Sequence, residues 1–174
     1  MFFMNNGALV EKAKCVVEMF SQRKKKICSA ESCTGGLVAS SIVSISGASA
    51  TFLGSAVCYC DESKMKILSV KKETLEKHFA ESLQCAREMA SGAINLFGAD
   101  YAVATTGFLD ANVSPKPIEL AGRVFVCLCH KNDSGELVFQ DVALSLDVSY
   151  PRNDNRAKVV ACVLDLLLNQ IEKC

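Results

Sequence analysis

A serine in a glycine-containing turn is the residue of this chain best placed to do chemistry. Residues 30–36 read Ala-Glu-Ser-Cys-Thr-Gly-Gly and lie between a short β-prone run, 26–29, and a small-residue segment typical of a helix. Gly35 and Gly36 would let a ligand approach the backbone, and the helix start offers free N–H groups. Ser32 is therefore a nucleophile, a hydroxyl that contacts phosphate, or a helix cap, and the local pattern leaves these three roles open.

The base that would activate Ser32 has few candidates. The chain has two histidines; His78 lies on a charged predicted helix and His130 starts a predicted hairpin loop, so a Ser-His-Asp triad is not expected. Serine enzymes also use lysine as a base, provided that burial or a cationic neighbour favours its neutral form. Lys64 follows the second predicted strand by a few residues, and Tyr59, at the end of that strand, is placed to relay a proton.

Further polar residues flank the same predicted turns. Glu31 is either a general base or a structural carboxylate that accepts the N–H groups of the next turn, and we favour the structural role. Thr34 and Gly35 would supply backbone donors at the helix start, for an oxyanion or a phosphate. Arg152 and Arg156 flank the start of the last predicted helix, where they either contact a phosphate or are solvated at the surface.

The composition is that of a folded, globular chain. Of its 174 residues 50% are hydrophobic and 22% are charged, and its formal net charge is zero. These values fit one domain, 1–174, with a substantial core, and they disfavour disorder and nucleic-acid binding. Residues 1–6 lack the basic stretch of a signal peptide, and no segment approaches the roughly 20 apolar residues of a membrane span. We expect a soluble, cytoplasmic protein with no nucleic-acid or membrane partner.

Ten cysteines require an explanation in such a chain. No Cys-x-x-Cys pair occurs, and residues 58–60 and 127–130 place two sulfurs on one face of a predicted strand. This spacing fits half of a soft-metal site, or small buried hydrophobic residues. We favour buried hydrophobic residues and expect neither a metal nor a cofactor.

Hydrophobic periodicity and turn signals predict an α/β order of elements. The predicted helices are 7–22, one that begins near 35, one N-capped by Asp61, then 72–78, 81–97 and 153–171. The predicted strands are 26–29, 55–60, 100–106, 122–130 and 136–146, with a long loop at 108–120. This order indicates a single α/β domain with three layers, in which a mixed β-sheet of about five strands is sandwiched between helices. Ligands gather at the carboxyl ends of strands in such sheets, so the loops after Ser29, Tyr59 and Thr106 should meet.

These motifs together resemble the CinA C-terminal domain family, the competence-damage-inducible proteins. The resemblance rests on the motif at 30–36, on Ile-x-Gly-x-Ser at 45–49, and on Tyr-Cys-Asp-Glu-Ser-Lys at 59–64, which is similar to the family's Tyr-Ser-Asn-Glu-Ala-Lys. It continues through Ala-Asp-Tyr-Ala-Val at 99–103 and through the paired arginines before the last helix. The resemblance spans essentially the whole chain.

Active members of that family are nicotinamide mononucleotide deamidases. The resemblance therefore implies a metal-free hydrolysis that converts the carboxamide of nicotinamide mononucleotide into nicotinic acid mononucleotide and ammonia. It implies Ser32 as the nucleophile, Lys64 as its base and Tyr59 as an assisting hydroxyl. It also implies that Thr106 and Arg152 bind this small-molecule substrate.

Gly107, a further candidate for substrate contact, is the last residue before the chain departs from the family pattern. The family continues with Ile-Ala-Gly-Pro and further glycines, whereas residues 108–112 read Phe-Leu-Asp-Ala-Asn. Bulky Phe108 and Leu109 do not suit the close backbone approach that glycines allow.

Three functions stay open on the sequence alone. The leading hypothesis is an amidohydrolase that acts on nicotinamide mononucleotide, as a homodimer or higher homo-oligomer. The second is a family member that binds a nucleotide or other small ligand without catalysis, which the replaced glycine loop favours. The third is an interaction protein that uses the apolar last helix or the loop at 108–121 in a dimer contact.

Overall fold

A five-stranded mixed sheet forms the middle layer of the structure. Its strands are β1 Ile27–Glu31, β2 Phe52–Val57, β3 Tyr101–Gly107, β4 Arg123–Lys131 and β5 Leu137–Ser145. They lie in the order β2-β1-β3-β4-β5, with β1 parallel to both β2 and β3, and β4 antiparallel to β3 and β5. The carboxyl ends of β1, β2 and β3 therefore lie at one edge of the sheet, as predicted.

In the described part of the chain, six α-helices cover the two faces of this sheet. They are α1 Gly7–Gln22, α2 Leu37–Val43, α3 Asp61–Leu68, α4 Lys72–His78, α5 Leu83–Phe97 and α6 Arg152–Ile171. Helices α1, α2 and α6 pack together on one face, and α3, α4 and α5 pack on the other. The predicted three-layer α/β fold with helices on both faces is confirmed.

The structure, a computed structural model, describes residues 7–112, 118–132 and 134–173. The predictions about residues 1–6 and the central part of the long loop, with Pro115 and Pro117, lie outside these ranges. None of the helices in these ranges combines the length and the apolarity that a membrane span requires.

Strand residues alternate between two cores, one on each face of the sheet. In β3, Tyr101 and Val103 join the core under α1 and α6, whereas Ala102 and Ala104 join the core under α5. Small residues on the α5 face allow close packing there. A Cβ at Gly92 of α5 would lie 2.0 Å from the carbonyl oxygen that ends α3, so only glycine permits this approach of the two helices. The contact fixes α3, the helix that carries the predicted base.

Several of the cysteines, including both of those at 127–130, are small buried residues of the α5 core. Cys28, Cys85, Cys127 and Cys129 are all fully buried there. Burial raises the pKa of the Cys28 thiol to about 12, which keeps it protonated and inert. Within the described ranges no three His, Cys, Asp or Glu side chains are grouped to hold a metal ion.

The second strand is displaced from its predicted position. The prediction placed it at 55–60, but β2 is Phe52–Val57, because it follows β1 in parallel register from Ile27 onward. The Cys58 N–H donates to the Glu31 carbonyl at 2.8 Å, and the chain then leaves the sheet. Cys58 and Cys60 therefore do not share a strand face, since Cys58 is buried and Cys60 is exposed.

Two helix starts also differ from their predicted positions. Cys60, not Asp61, is the N-cap of α3, and Asp61 is its first helical residue. Helix α5 begins at Leu83 instead of Glu81, because the Ser82 hydroxyl accepts the Cys85 N–H at 3.2 Å and so caps the helix. Glu81 consequently lies in the loop before α5.

Candidate active site

A buried serine–lysine pair lies at the carboxyl edge of the parallel strands. Ser32 follows β1 and is 8% exposed, and Lys64, in the second turn of α3, is 2% exposed. The Lys64 Nζ donates to the Ser32 Oγ at 3.1 Å and to the Cys58 carbonyl oxygen at 3.1 Å. The structure thus brings together the two residues predicted as nucleophile and base. An amine at this distance can take the serine proton when it is in its neutral form.

Glu31 holds the turn that carries the serine. Its carboxylate is fully buried and accepts the N–H groups of Val38 at 3.0 Å and Ala39 at 2.9 Å, together with the Thr34 hydroxyl at 2.8 Å. The N-cap residue of α2, Gly36, has no side chain for this purpose. Glu31 therefore caps α2 in its place and satisfies the first N–H groups of the helix.

Arg156 fixes the same turn from the opposite side. Its Nε and Nη2 donate to the Thr34 carbonyl oxygen at 3.0 and 2.6 Å. The Thr34 hydroxyl also shares a hydrogen bond of 2.7 Å with the Thr105 hydroxyl, which ties the turn to β3. Thr34 and Arg156, both predicted as substrate contacts, are thus bonded to the protein itself.

The two glycines of the turn adopt the left-handed conformation. Gly35 has φ +56° and Gly36 has φ +89°, a region that residues with a Cβ rarely occupy. The Gly35 N–H donates to the Ser32 carbonyl oxygen at 3.0 Å and closes the turn. The glycines allow the tight reversal that presents Ser32 at the sheet edge.

A pocket of about 460 Å³ opens beside the serine. Its size falls within the usual range of ligand sites, roughly 300–1,000 Å³. The lining residues come from the ends of β1, β2 and β3, the loop before α5, and the start of α6: Ser32, Cys33, Tyr59, Glu81, Gly107, Phe108, Asp110, Asn112 and Arg152. The pocket therefore combines an aromatic wall with three charged side chains and the predicted nucleophile.

Arg152 joins two of these pocket residues. Its Nη1 donates to Asp110 Oδ2 at 2.7 Å, and its Nη2 donates to the Tyr59 hydroxyl oxygen at 2.8 Å. The hydrogen bond from Arg152 holds the pKa of the Asp110 carboxyl below its usual range. Arg152 and Tyr59 are thus placed at the pocket, and the Tyr59 hydroxyl is oriented by the arginine.

The two predicted substrate contacts at the end of β3 differ in position. Gly107 lines the pocket, and a Cβ there would lie 2.3 Å from the Arg123 carbonyl oxygen, so the close pairing with β4 requires glycine. The Thr106 side chain is 1% exposed, and its hydroxyl donates to the Ala80 carbonyl oxygen at 2.8 Å. Thr106 therefore anchors the loop before α5 and is not among the pocket-lining residues.

Residues 10–171 of the chain match the CinA C-terminal domain. The chain belongs to the CinA C-terminal domain family. A CinA-like protein of Thermotoga neapolitana is 39% identical to this CinA domain over 134 residues, 77% of this chain and 32% of the relative. A putative competence-damage inducible protein of Clostridium perfringens is 37% identical over 160 residues, 91% of this chain and 36% of the relative. The chain thus spans about a third of the length of these relatives.

Solved structures share the fold of this CinA domain. A competence/damage inducible protein from Agrobacterium tumefaciens superposes with a TM-score of 0.83 at 29% identity, and covers 97% of this chain and 98% of its own. A competence-damaged protein (CinA) superfamily protein from Klebsiella pneumoniae gives a TM-score of 0.82 at 26% identity, with 95% and 99% covered. The agreement extends over almost the whole domain.

The first residues of the loop that departs from the family pattern pack against the rest of the domain. Leu109 is fully buried in the core, and Phe108 lies on the pocket wall. Asn155, also fully buried, donates from its Nδ2 to the carbonyl oxygens of Leu109 and Asp147, both at 2.9 Å. Asn155 was not among the predicted site residues. The feature of the sequence that could have indicated it is a polar residue four positions before Val159, within the apolar stripe of the last helix.

Three other groups at the site were also not predicted from the sequence. Asp110 and Glu81 line the pocket, and the Cys58 carbonyl oxygen orients the lysine. A backbone carbonyl carries no sequence signal, whereas the carboxylates follow predicted strand or helix ends. Neither histidine lines the pocket. His130 pairs with Tyr101, at the opposite end of β3, so the expectation that it lies away from the site is confirmed.

Proposed function

We propose that this CinA domain is an amidohydrolase that converts nicotinamide mononucleotide into nicotinic acid mononucleotide and ammonia. The observation that carries the proposal is the buried Lys64 amine, which lies 3.1 Å from the Ser32 hydroxyl oxygen at the wall of a ligand-sized pocket. Membership of the CinA C-terminal domain family supports the same reaction. The proposal concerns this chain alone.

The first half of the reaction forms an acyl-enzyme. Neutral Lys64 takes the Ser32 proton as the Oγ attacks the carboxamide carbon, and a C–O bond forms. The resulting ammonium then gives its proton to the amide nitrogen, the C–N bond breaks and ammonia leaves. The Cys58 carbonyl oxygen, 3.1 Å from Nζ, holds the amine in line with the serine throughout.

The second half releases the acid. Lys64 takes a proton from a water molecule, which attacks the serine ester and forms the carboxylic acid product. Ser32 leaves as the alcohol after it recovers the proton from Lys64. The two half-reactions consume one water and release one ammonia, and the enzyme returns to its starting state.

Arg152 is the residue that we assign to the phosphate of the mononucleotide. A guanidinium carries five N–H donors, and the hydrogen bonds to Asp110 and Tyr59 use two of them. Arg152 lines the pocket together with Ser32, so one ligand can reach both groups. A guanidinium suits phosphate oxygens because it can donate two parallel hydrogen bonds.

The test is ammonia release from nicotinamide mononucleotide by the purified chain, with nicotinic acid mononucleotide quantified in parallel. We expect equal amounts of the two products from the wild type and only background release from Ser32→Ala. Ser49→Ala, a serine at an exposed position, is the matched control and should keep full activity. Full activity of Ser32→Ala would refute the mechanism, and no release from any pyridine nucleotide would refute the function.

A second candidate function is ligand binding without turnover. The observation that favours it is the replacement of the family's glycine loop, since Phe108 and Asp110 of this loop line the pocket beside Ser32. Titration calorimetry with nicotinamide mononucleotide separates the candidates. Heat of binding without ammonia release would support this second function.

A further inference from the structure

Glu81 is a pocket residue that has an unpaired carboxylate oxygen. Its Oε2 is buried without a hydrogen-bond partner, and its side chain lines the same pocket as Ser32. In the part of the chain that the structure describes, Asp141 is the other residue with such an atom, and its second oxygen is bonded to Arg87. Burial of a carboxylate oxygen without compensation is unfavourable, so its presence at a residue of a ligand pocket points to a complementary group, a donor or a cation, supplied by the ligand.

The protein holds the backbone on both sides of this residue. The Thr106 hydroxyl donates to the Ala80 carbonyl oxygen at 2.8 Å, and the Ser82 hydroxyl donates to the Phe79 carbonyl oxygen at 2.8 Å. Phe79 itself has φ +66°, which is unusual for a residue with a side chain. Non-glycine residues persist in this conformation where the surrounding structure holds them, often at functional sites. The loop thus presents Glu81 in a defined position.

The other charged groups around the pocket are already bonded elsewhere. Arg152 pairs with Asp110, and Lys64 donates to Ser32 and to a backbone carbonyl. Glu81 then remains as the uncompensated charge of the pocket, and the group that complements it is cationic.

We infer that Glu81 is a specificity-determining residue whose carboxylate binds the positive charge of the substrate next to the scissile amide. The identity of the cation rests on the proposed function, because the pyridinium ring of nicotinamide mononucleotide is positively charged and carries the carboxamide. When the carboxamide carbon is at the Ser32 Oγ, the ring lies in the pocket that Glu81 lines. The carboxylate selects pyridinium amides over neutral aromatic amides.

The test compares two probes that share one carboxamide. They are 1-methylnicotinamide, a cation, and nicotinamide, which is neutral, and their binding is measured by calorimetry on the full chain with Ser32→Ala to prevent turnover. We expect the cation to bind on the order of tenfold more tightly, because the carboxylate attracts the positive charge of the ring. Glu81→Gln should remove this preference and leave the affinity for nicotinamide unchanged.

A matched control removes the same charge away from the pocket. Glu76→Gln, on α4 with a side chain 63% exposed, should keep the preference for the cation. Thermal unfolding verifies that each variant is folded, and Glu81→Ala provides a second variant should Glu81→Gln fail to fold. Equal binding of the two probes by the Ser32→Ala protein, or no binding of either probe, would overturn the inference. A preference for the cation that is unchanged in the Glu81→Gln variant would also overturn it.

Failure of this inference is distinguishable from failure of the proposed function. Preference for the cation with no ammonia release from nicotinamide mononucleotide would refute the function and support the Glu81 assignment. Ammonia release with an unchanged probe preference in Glu81→Gln would support the function and refute the assignment.

Discussion

Lys64→Met removes the proposed base with little change in shape. The lysine is 2% exposed and ends in an amine that bonds Ser32 and the Cys58 carbonyl oxygen. Methionine is unbranched like lysine, and it is apolar, so it can occupy the same buried space. General-base catalysis typically contributes 10²–10⁴-fold, so we expect kcat to fall by about 10³, which corresponds to about 4 kcal/mol of activation free energy.

The cost in folding stability should be much smaller than the cost in activity. The substitution leaves the Cys58 carbonyl oxygen without the amine, a loss of about 1–3 kcal/mol. It also removes the desolvation free energy that burial of the amine costs, which offsets part of this loss. The net change should stay small beside the roughly 5–15 kcal/mol of a typical domain, so the variant should fold.

The assay is ammonia release under saturating nicotinamide mononucleotide, with urea unfolding of the same preparations. Lys66→Met, an exposed lysine on the same helix, is the matched control and should match the wild type in both measurements. Lys64 is not among the pocket-lining residues, so KM should change little. A folded Lys64→Met protein that keeps more than about a tenth of the wild-type kcat would refute the reasoning.

Three further predictions concern packing, thiol reactivity and pH. Gly92→Ala places a methyl group 2.0 Å from the Leu68 carbonyl oxygen, so we expect a loss of about 1–3 kcal/mol in the free energy of unfolding, measured in urea. Iodoacetamide at pH 8 should label Cys60 long before Cys33, because a hydrogen bond with Ser63 lowers the pKa of Cys60 whereas burial raises the pKa of Cys33 to about 12. The pKa of Asp110 is lowered in the folded state, so its carboxylate stabilises the fold at pH values above the pKa of about 3.9 that it has in the unfolded chain. This stabilisation is lost as the pH falls through the lower pKa of the folded state. Asp110→Asn should therefore lower stability more at pH 7 than at pH 2.

Each of these predictions has an outcome that contradicts it. An unchanged urea midpoint for Gly92→Ala would mean that α5 and α3 are not in close contact. Mass spectrometry that finds Cys33 alkylated as fast as Cys60 would contradict its burial. Equal effects of Asp110→Asn at both pH values would show that the carboxylate charge is not what matters at that position.

The order of elements was predictable because it depends on local patterns. Period-two and period-3.6 spacing of apolar residues identified all five strands and six helices, and the parallel strands then implied one shared edge. The boundaries were less predictable where one hydrogen bond decides them. The predicted starts of α3 and α5 were one and two residues away, because cysteine is an uncommon N-cap residue at position 60 and because the Ser82 cap depends on one hydrogen bond from the Cys85 N–H.

The site was predictable in its residue types but not in its partners. Ser32 and Lys64 stood out because serine chemistry needs a base and the histidines were poorly placed. Glu31 was expected to accept N–H groups of the next turn, and it does so at Val38 and Ala39. The roles of Thr34 and Arg156 depend on hydrogen bonds between separate elements, which no spacing rule shows. Glu81 was assigned to a helix, and its position at the pocket follows from the loop that Thr106 anchors.

By itself, the sequence determined the three-layer fold and the edge at which three strand ends meet, because these follow from hydrophobic periodicity and the parallel order of strands. Tertiary structure alone decided which atoms face each other at that edge. The Lys64 amine reaches Ser32 across 32 residues because α5, with glycine at 92, lets α3 pack closely against it. Hydrogen bonds at about 3 Å depend on such close packing, and packing is a property of the whole fold.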